Sequence, residues 1–264
     1  MAQPKQPFEP LDHTRPFLDI IKEQAQQFRS YPHRLVEQFE TLPRELFVPE
    51  EWQDLFRDRI HRDAGYGGLL SQPGVIFGMV AALHLKGTEV VFEGGTGTGY
   101  QTAILAGLCS HVYTVERDGS RLKAAKQRLA SLGISNVTCV HGDAAQGLPQ
   151  SAPFDRMIFG AAIHDQVDQH LIDQMASARS RLVVPTGTYH RQRGMIIGDL
   201  LLCDKKGGEV TQKITSVYHG TLSFVPLISP RSIGWTPLKD GYVPSTLTAR
   251  LRSRLPWNRP HKKR

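Results

Sequence analysis

Between two stretches of regular pattern the chain reads Glu93-Gly94-Gly95-Thr96-Gly97-Thr98-Gly99-Tyr100. The residues before it, Glu89–Glu93, form a short β-rich run. Those after it, Tyr100–Leu108, have helical spacing. Glycine at every second position lets the backbone turn through left-handed conformations and lets a ligand approach without meeting a Cβ. A helix beginning at Tyr100 also aims its unpaired N–H groups back at the turn. A strand, a glycine turn and a helix in this order predict a crossover unit, which returns the chain to a second strand parallel to the first.

The rest of the pattern agrees with that unit. His111–Val115 is extended, Ser120–Leu132 is an amphipathic helix, and Val137–His141 and Arg156–Phe159 are strands. Val167–Met175 is helical, and Arg181–Val184 is a further strand. Upstream, Phe17–Phe28, Leu35–Leu42 and Val75–Leu85 have helical spacing. Near the end, Met195–Cys203 and Val210–Val217 flank Asp204-Lys205-Lys206-Gly207-Gly208-Glu209, the composition of a hairpin turn. The expected fold class is α/β: a Rossmann-like, doubly wound, mostly parallel sheet with antiparallel edge strands at the C-terminal end.

In such a sheet, ligands bind beyond the carboxyl ends of the strands. Three acids fall there. Glu93 closes the first strand, Glu116 the second, and Asp143 follows His141-Gly142 at the end of the third. Glu116, expected exposed at its strand end, is placed to accept from two ribose hydroxyls. A nicotinamide dinucleotide requires glycine or alanine where Tyr100 stands, and its pyrophosphate would be repelled by this much acid. Glu93 suits the ammonium of a methionine group instead. The residues favour S-adenosylmethionine over NAD. A tight turn with surface acids is the bland reading, and it accounts for Glu93 alone better than for the whole set.

Composition narrows the remaining classes. The 264 residues are 40% hydrophobic and 22% charged, enough to bury a core without staples. Three cysteines, Cys109, Cys139 and Cys203, fit neither a disulfide framework nor a zinc cluster, and His111, His141 and His190 show no metal-ligand spacing, so no metal is expected. No secretory signal and no membrane-length apolar run is visible, which makes cytoplasm the expected compartment. The net charge of +7 resides in the tail. Residues 248–264 hold seven bases and no acid, and the remaining 25 bases balance 25 acids. That tail suits an acidic partner, an anionic surface or nucleic acid, although a solvated end explains it better.

The run Gly95-Thr96-Gly97-Thr98-Gly99-Tyr100-Gln101-Thr102-Ala103 resembles the cofactor motif of protein-L-isoaspartate O-methyltransferases. So do Val115-Glu116-Arg117, His141-Gly142-Asp143 and Ala152-Pro153-Phe154-Asp155 followed by Gly160-Ala161-Ala162. Leu42-Pro43-Arg44-Glu45-Leu46-Phe47-Val48-Pro49 and Phe224-Val225-Pro226-Leu227 bracket the similarity, which runs in order over residues 33–228. The resemblance implies an S-adenosylmethionine-dependent carboxyl methyltransferase that acts on L-isoaspartyl residues of proteins or peptides, in protein repair. It implies cofactor contacts at Glu93, Gly95, Gly97, Glu116, Gly142 and Asp143, and it carries the family's characteristic serine onto Ser71. The bare sequence offers Ser71 a second role as a helix N-cap, because Pro73 follows closely. On this reading residues 1–32 are a lead-in with a helix, 33–228 the methyltransferase domain and 229–264 a C-terminal extension.

Departures from the family pattern gather on the acceptor side. Asp63-Ala64-Gly65-Tyr66-Gly67-Gly68-Leu69 lacks the usual glutamine and threonine at 68 and 69. Ile163-His164-Asp165-Gln166 replaces a proline-rich turn, Arg179-Ser180 a glycine pair, and Gly94 an apolar residue. Two other functions stay open: a relative that methylates a dedicated peptide or protein carboxylate, and a non-catalytic cofactor-binding homologue. A nucleic-acid methyltransferase is disfavoured, since no Asn/Asp-Pro-Pro-aromatic motif is present.

Overall fold

Five strands run parallel in register: β1 (Val90–Gly94), β2 (His111–Glu116), β3 (Val137–His141), β4 (Arg156–Phe159) and β5 (Arg179–His190). Three antiparallel strands complete the sheet: β6 (Met195–Lys206), β7 (Glu209–Thr215) and β8 (Leu222–Phe224). The order is β3-β2-β1-β4-β5-β6-β7, with β8 also pairing β6. The computed structural model describes residues 17–27, 32–48, 70–163, 166–190, 195–215, 222–224, 227, 235–238 and 241–244. Beyond the main sheet, β9 (Trp235–Leu238) and β10 (Gly241–Pro244) pair with each other. The doubly wound class with an antiparallel end is therefore the observed fold.

Alternate strand residues enter two separate apolar clusters, which is why the central strands read as unbroken hydrophobic runs. Val91, Ile158, Val183, Leu200 and Leu202 face one cluster, while Phe92, Met157, Phe159, Leu182, Val184 and Leu201 face the other. The first cluster is closed by helices α1 (Phe17–Gln26), α2 (His33–Thr41), α3 (Pro73–Leu83) and α4 (Tyr100–Ala106). Helix α1 contributes Ile21 and Ala25 to that cluster. Helix α5 (Gly119–Ser131) starts on Asp118, whose Oδ1 accepts from the Ser120 and Arg121 N–H groups, and it buries Leu122, Ala125 and Leu129. The short α6 (Gln169–Asp173) lies against the second cluster through Leu171 and Ile172.

Of the expected elements, two differ most in length. The strand read at Arg181–Val184 extends from Arg179 to His190, because β6 pairs with it along its whole length. The helix read at Val167–Met175 shrinks to Gln169–Asp173. The hairpin turns at Gly207 and Gly208, both at positive φ (59° and 89°), as a tight turn between twisted strands demands.

The direction of α3 places its first residues relative to the sheet. Its last carbonyls are held at the amino ends of two strands: Arg156 Nε donates to Leu83 O (2.7 Å) and Arg181 Nη1 to Ala82 O (2.9 Å). An 11-residue helix spans about 16 Å, roughly the length of a strand. The start of α3, with Ser71 just before it, therefore lies towards the carboxyl edge of the sheet, the edge that carries the glycine turn.

Candidate active site

Strand order reverses between β1 and β4, since β2 and β3 lie to one side of β1 and β4 and β5 to the other. This is where a doubly wound sheet opens a crevice. The glycine turn is strapped to both walls: Gly95 N–H donates to Val115 O and Gly160 N–H to Gly94 O, each at 2.8 Å. Gly95, Gly97 and Gly99 take φ of 96°, 55° and 89°, where side chains are strained. A Cβ built on Gly95 meets nothing within 4 Å, so that part of the turn faces open space. A ligand's backbone-hugging portion fits this cradle.

Glu116 is nearly buried, 6% exposed, contrary to its expected exposure. Its Oε2 accepts from Gly97 N–H and its Oε1 from Asp118 N–H, both at 3.0 Å. The two donors fix the carboxylate at the turn and leave acceptor capacity for a diol. Gly142 N–H donates to Glu116 O (3.0 Å), bringing the end of β3 alongside. Asp143 follows, and its Oδ1 accepts from Ala145 N–H (3.0 Å). Glu93, Gly95, Gly97, Glu116, Gly142 and Asp143 thus stand on one edge over three adjacent strand ends.

Glu93, read from the sequence as an ammonium partner, is enclosed by the fold. It is fully buried, and three side chains donate to it: Gln101 Nε2 to Oε1 (2.9 Å), and the hydroxyls of Thr102 and Thr114 to Oε2. Burial pushes its carboxyl up to about 7 against the opposing pull of these hydrogen bonds. Two hydroxyls crowd Oε2, whereas Oε1 accepts from the half-buried Gln101, so Oε1 is the oxygen nearest to being available.

Ser71 is half-buried, and it is not the helix cap. Gln72 is the N-cap of α3, no side chain caps the helix, and Pro73 opens it. The loop 63–69 and residues His164 and Asp165 lie outside the described residues, as does the tail from 245. Ile163 is described and is held by its N–H to Pro185 O (2.9 Å).

The sequence reading missed the supporting groups. Thr114 faces Glu93 in the β1–β2 register, a pairing legible only once the register is known. Gln174, just past α6, donates to Gln146 O and His170 O and accepts from Leu148 N–H, so it fastens the loop after Asp143. Phe159 explains Gly94, since its ring occupies the space that a Cβ there would need. A cleft of about 410 Å³ opens elsewhere, lined by Gln38, Ala103, Gly107, Gly133 and Asn136 among others. It has no ionisable lining residue and so no acid–base chemistry of its own. No cluster of His, Cys, Asp or Glu fit to hold a metal occurs among the described residues.

Residues 18–232 match the family model for protein-L-isoaspartate(D-aspartate) O-methyltransferase. The chain belongs to that family. A protein-L-isoaspartate O-methyltransferase of Synechococcus sp. is 36% identical over 230 residues, covering 83% of this chain and 90% of that protein. Among solved structures, a protein-L-isoaspartate O-methyltransferase superposes with TM-score 0.65 at 22% identity, over 81% of this chain and 65% of that one. A putative protein-L-isoaspartate O-methyltransferase from Plasmodium falciparum, in complex with S-adenosyl-L-homocysteine, gives 0.61 at 15% identity, over 81% of this chain and 99% of that one. Both share the fold. The chain is thus an S-adenosylmethionine-dependent methyltransferase by family, and the open, glycine-lined turn beside Glu116 fits that cofactor.

Proposed function

We propose that this chain methylates the free carboxylate of L-isoaspartyl residues in proteins or peptides, in the manner of a repair enzyme. The observation that supports this most is the intact cofactor edge, the glycine turn with Glu116 fastened to it, within a family match that covers most of the chain. When bound, S-adenosylmethionine supplies a methyl group activated by a sulfonium. Gly95 and Gly97 would bring the backbone against it, Glu116 would accept from its ribose hydroxyls, and Gly142 and Asp143 would stand at the same edge. Glu93 Oε1, to which Gln101 Nε2 donates, is the oxygen that would take its ammonium.

The acceptor needs little activation. A carboxylate with pKa near ~4 is already ionised at neutral pH, so no strong general base is required. The protein's task is to hold the nucleophile in line with the methyl, an arrangement that can lower a barrier by ~7–11 kcal/mol. Ser71, free of capping duty at the start of α3, is assigned to donate its hydroxyl to that carboxylate. The catalytic fold spans roughly the matched residues, with the basic tail as an extension that can meet an acidic partner. Cytoplasm is the compartment we assign: all three cysteines are free thiols, and no described helix is long and apolar enough to cross a membrane.

A test is incubation with methyl-labelled cofactor and an aged protein. Label recovered as a base-labile ester supports carboxyl methylation; label stable to base contradicts it.

A further inference from the structure

Buried beneath the glycine turn, three side chains form an unbroken line. Thr96 Oγ1 lies 2.7 Å from Thr114 Oγ1, and Thr114 Oγ1 lies 2.7 Å from Glu93 Oε2. Thr96 is 3% exposed, and Thr114 and Glu93 are fully enclosed. Each belongs to a different piece of the site: Thr96 to the turn, Thr114 to β2 and Glu93 to the end of β1. We propose that Thr114 is a positioning residue for the cofactor, its hydroxyl locking the glycine turn onto Glu93 and keeping that carboxylate an acceptor.

The hydroxyl is unusual for its place. A buried position in a central strand favours valine, which has the same shape and no polar atom to satisfy. A hydroxyl there costs stability unless it is bonded, and this one is bonded on both sides. Proton counting fixes the direction of the line. An ionised Glu93 has no proton to give, so Thr114 must donate to it, and the one remaining role for Thr114 towards Thr96 is acceptor. Thr96, and with it the turn, then points its proton inward. If Glu93 takes a proton, the line can run the other way and the turn loses that donor orientation. Among the described residues, the titratable groups that act on or feel Glu93 are Glu116 on β2 and the thiols of Cys109 and Cys139, which burial pushes up and Glu93 raises further. None of these supplies a cation, so the hydroxyls and Gln101 are what favour the charged form.

This inference rests on the turn's being the S-adenosylmethionine site. Calorimetric titration with S-adenosylhomocysteine across pH 5.5–8.5 (about one and a half units either side of about 7), on the full chain, separates the two. For Thr114→Val the expected result is a dissociation constant raised about tenfold or more, the loss that follows removal of one hydrogen bond to a charged group. The pH at which binding is half-developed also moves upward. Thr114→Ser restores both values. Thr96→Val weakens binding but leaves the half-development pH in place, since the Thr114–Glu93 bond survives. A purely structural role lowers the unfolding temperature of the unliganded Thr114→Val variant without moving that pH, and this outcome overturns the proposal. Wild-type affinity in Thr114→Val overturns it too. Should Thr114→Val fail to fold, Thr96→Val decides alone: unchanged affinity rejects the link to the turn, and weakened binding at an unmoved half-development pH supports it. No binding by the wild-type chain rejects the cofactor assignment itself.

Discussion

Glu93 and Glu116 end neighbouring strands, and their surroundings separate their work. Burial raises Glu93 to about 7, above the 4.5 usual for the side chain, so its neutral form is the one the fold favours. The stability this group contributes is then complete below about 4.5 and is lost as pH rises through about 7. Glu93→Gln should flatten the decline of unfolding temperature between those limits, as thermal unfolding at a series of pH values will show. Parallel curves for mutant and wild type would mean that Glu93 does not titrate there. Glu116 instead holds two backbone N–H groups, so its removal costs stability as well as affinity. Glu116→Gln keeps an acceptor and loses the charge. It should weaken S-adenosylhomocysteine binding about tenfold and also lower the unfolding temperature, because its amide nitrogen cannot accept from the second backbone N–H. Normal affinity in this variant would end the ribose role.

At the scale of elements, α3 and α6 do the positioning. With no capping bond at Ser71, Ser71→Ala should lower methyl transfer many-fold yet leave unfolding unchanged, short of the ~1 kcal/mol that loss of a cap costs. An equal fall in activity and stability would return Ser71 to a structural role. Gln174→Leu should release the loop 144–148 and raise the KM for the cofactor with kcat nearly kept; a fall in kcat alone would contradict this. The sequence showed the elements but not these supports. Strand–helix alternation and the glycine turn are local patterns, and acids at strand ends can be counted along the chain. The Thr114–Glu93 contact depends on register, the Gln174 contacts on where a short helix docks, and the match of Gly94 to Phe159 on packing between strands. None of these leaves a periodic trace. The enclosure of Glu93 was illegible for the same reason, because the donors that surround it come from α4 and β2.

For the whole molecule, the sheet brings three strand ends, the glycine turn and the start of α3 to one edge, while the amino ends of β4 and β5 are secured by arginines at the other. The family match stops at 232, and the β9–β10 pair beyond it bonds within itself, so a chain ending at Ser245 should keep its cofactor affinity by calorimetry. Loss of that affinity would make the tail part of the fold. Loss of peptide methylation alone, reproduced in the full chain by high salt, would instead assign the tail to electrostatic substrate capture. The chain departs from the family pattern at Gly68, Leu69 and Ile163, and one measurement addresses directly which acceptor it uses. Methyl transfer from labelled S-adenosylmethionine is followed to an isoaspartyl peptide and to its normal aspartyl twin, with base-labile release recorded. A repair enzyme puts base-labile label on the isoaspartyl peptide and none above background on its twin. Equal labelling of the two, or of neither while S-adenosylhomocysteine still binds, would contradict that function.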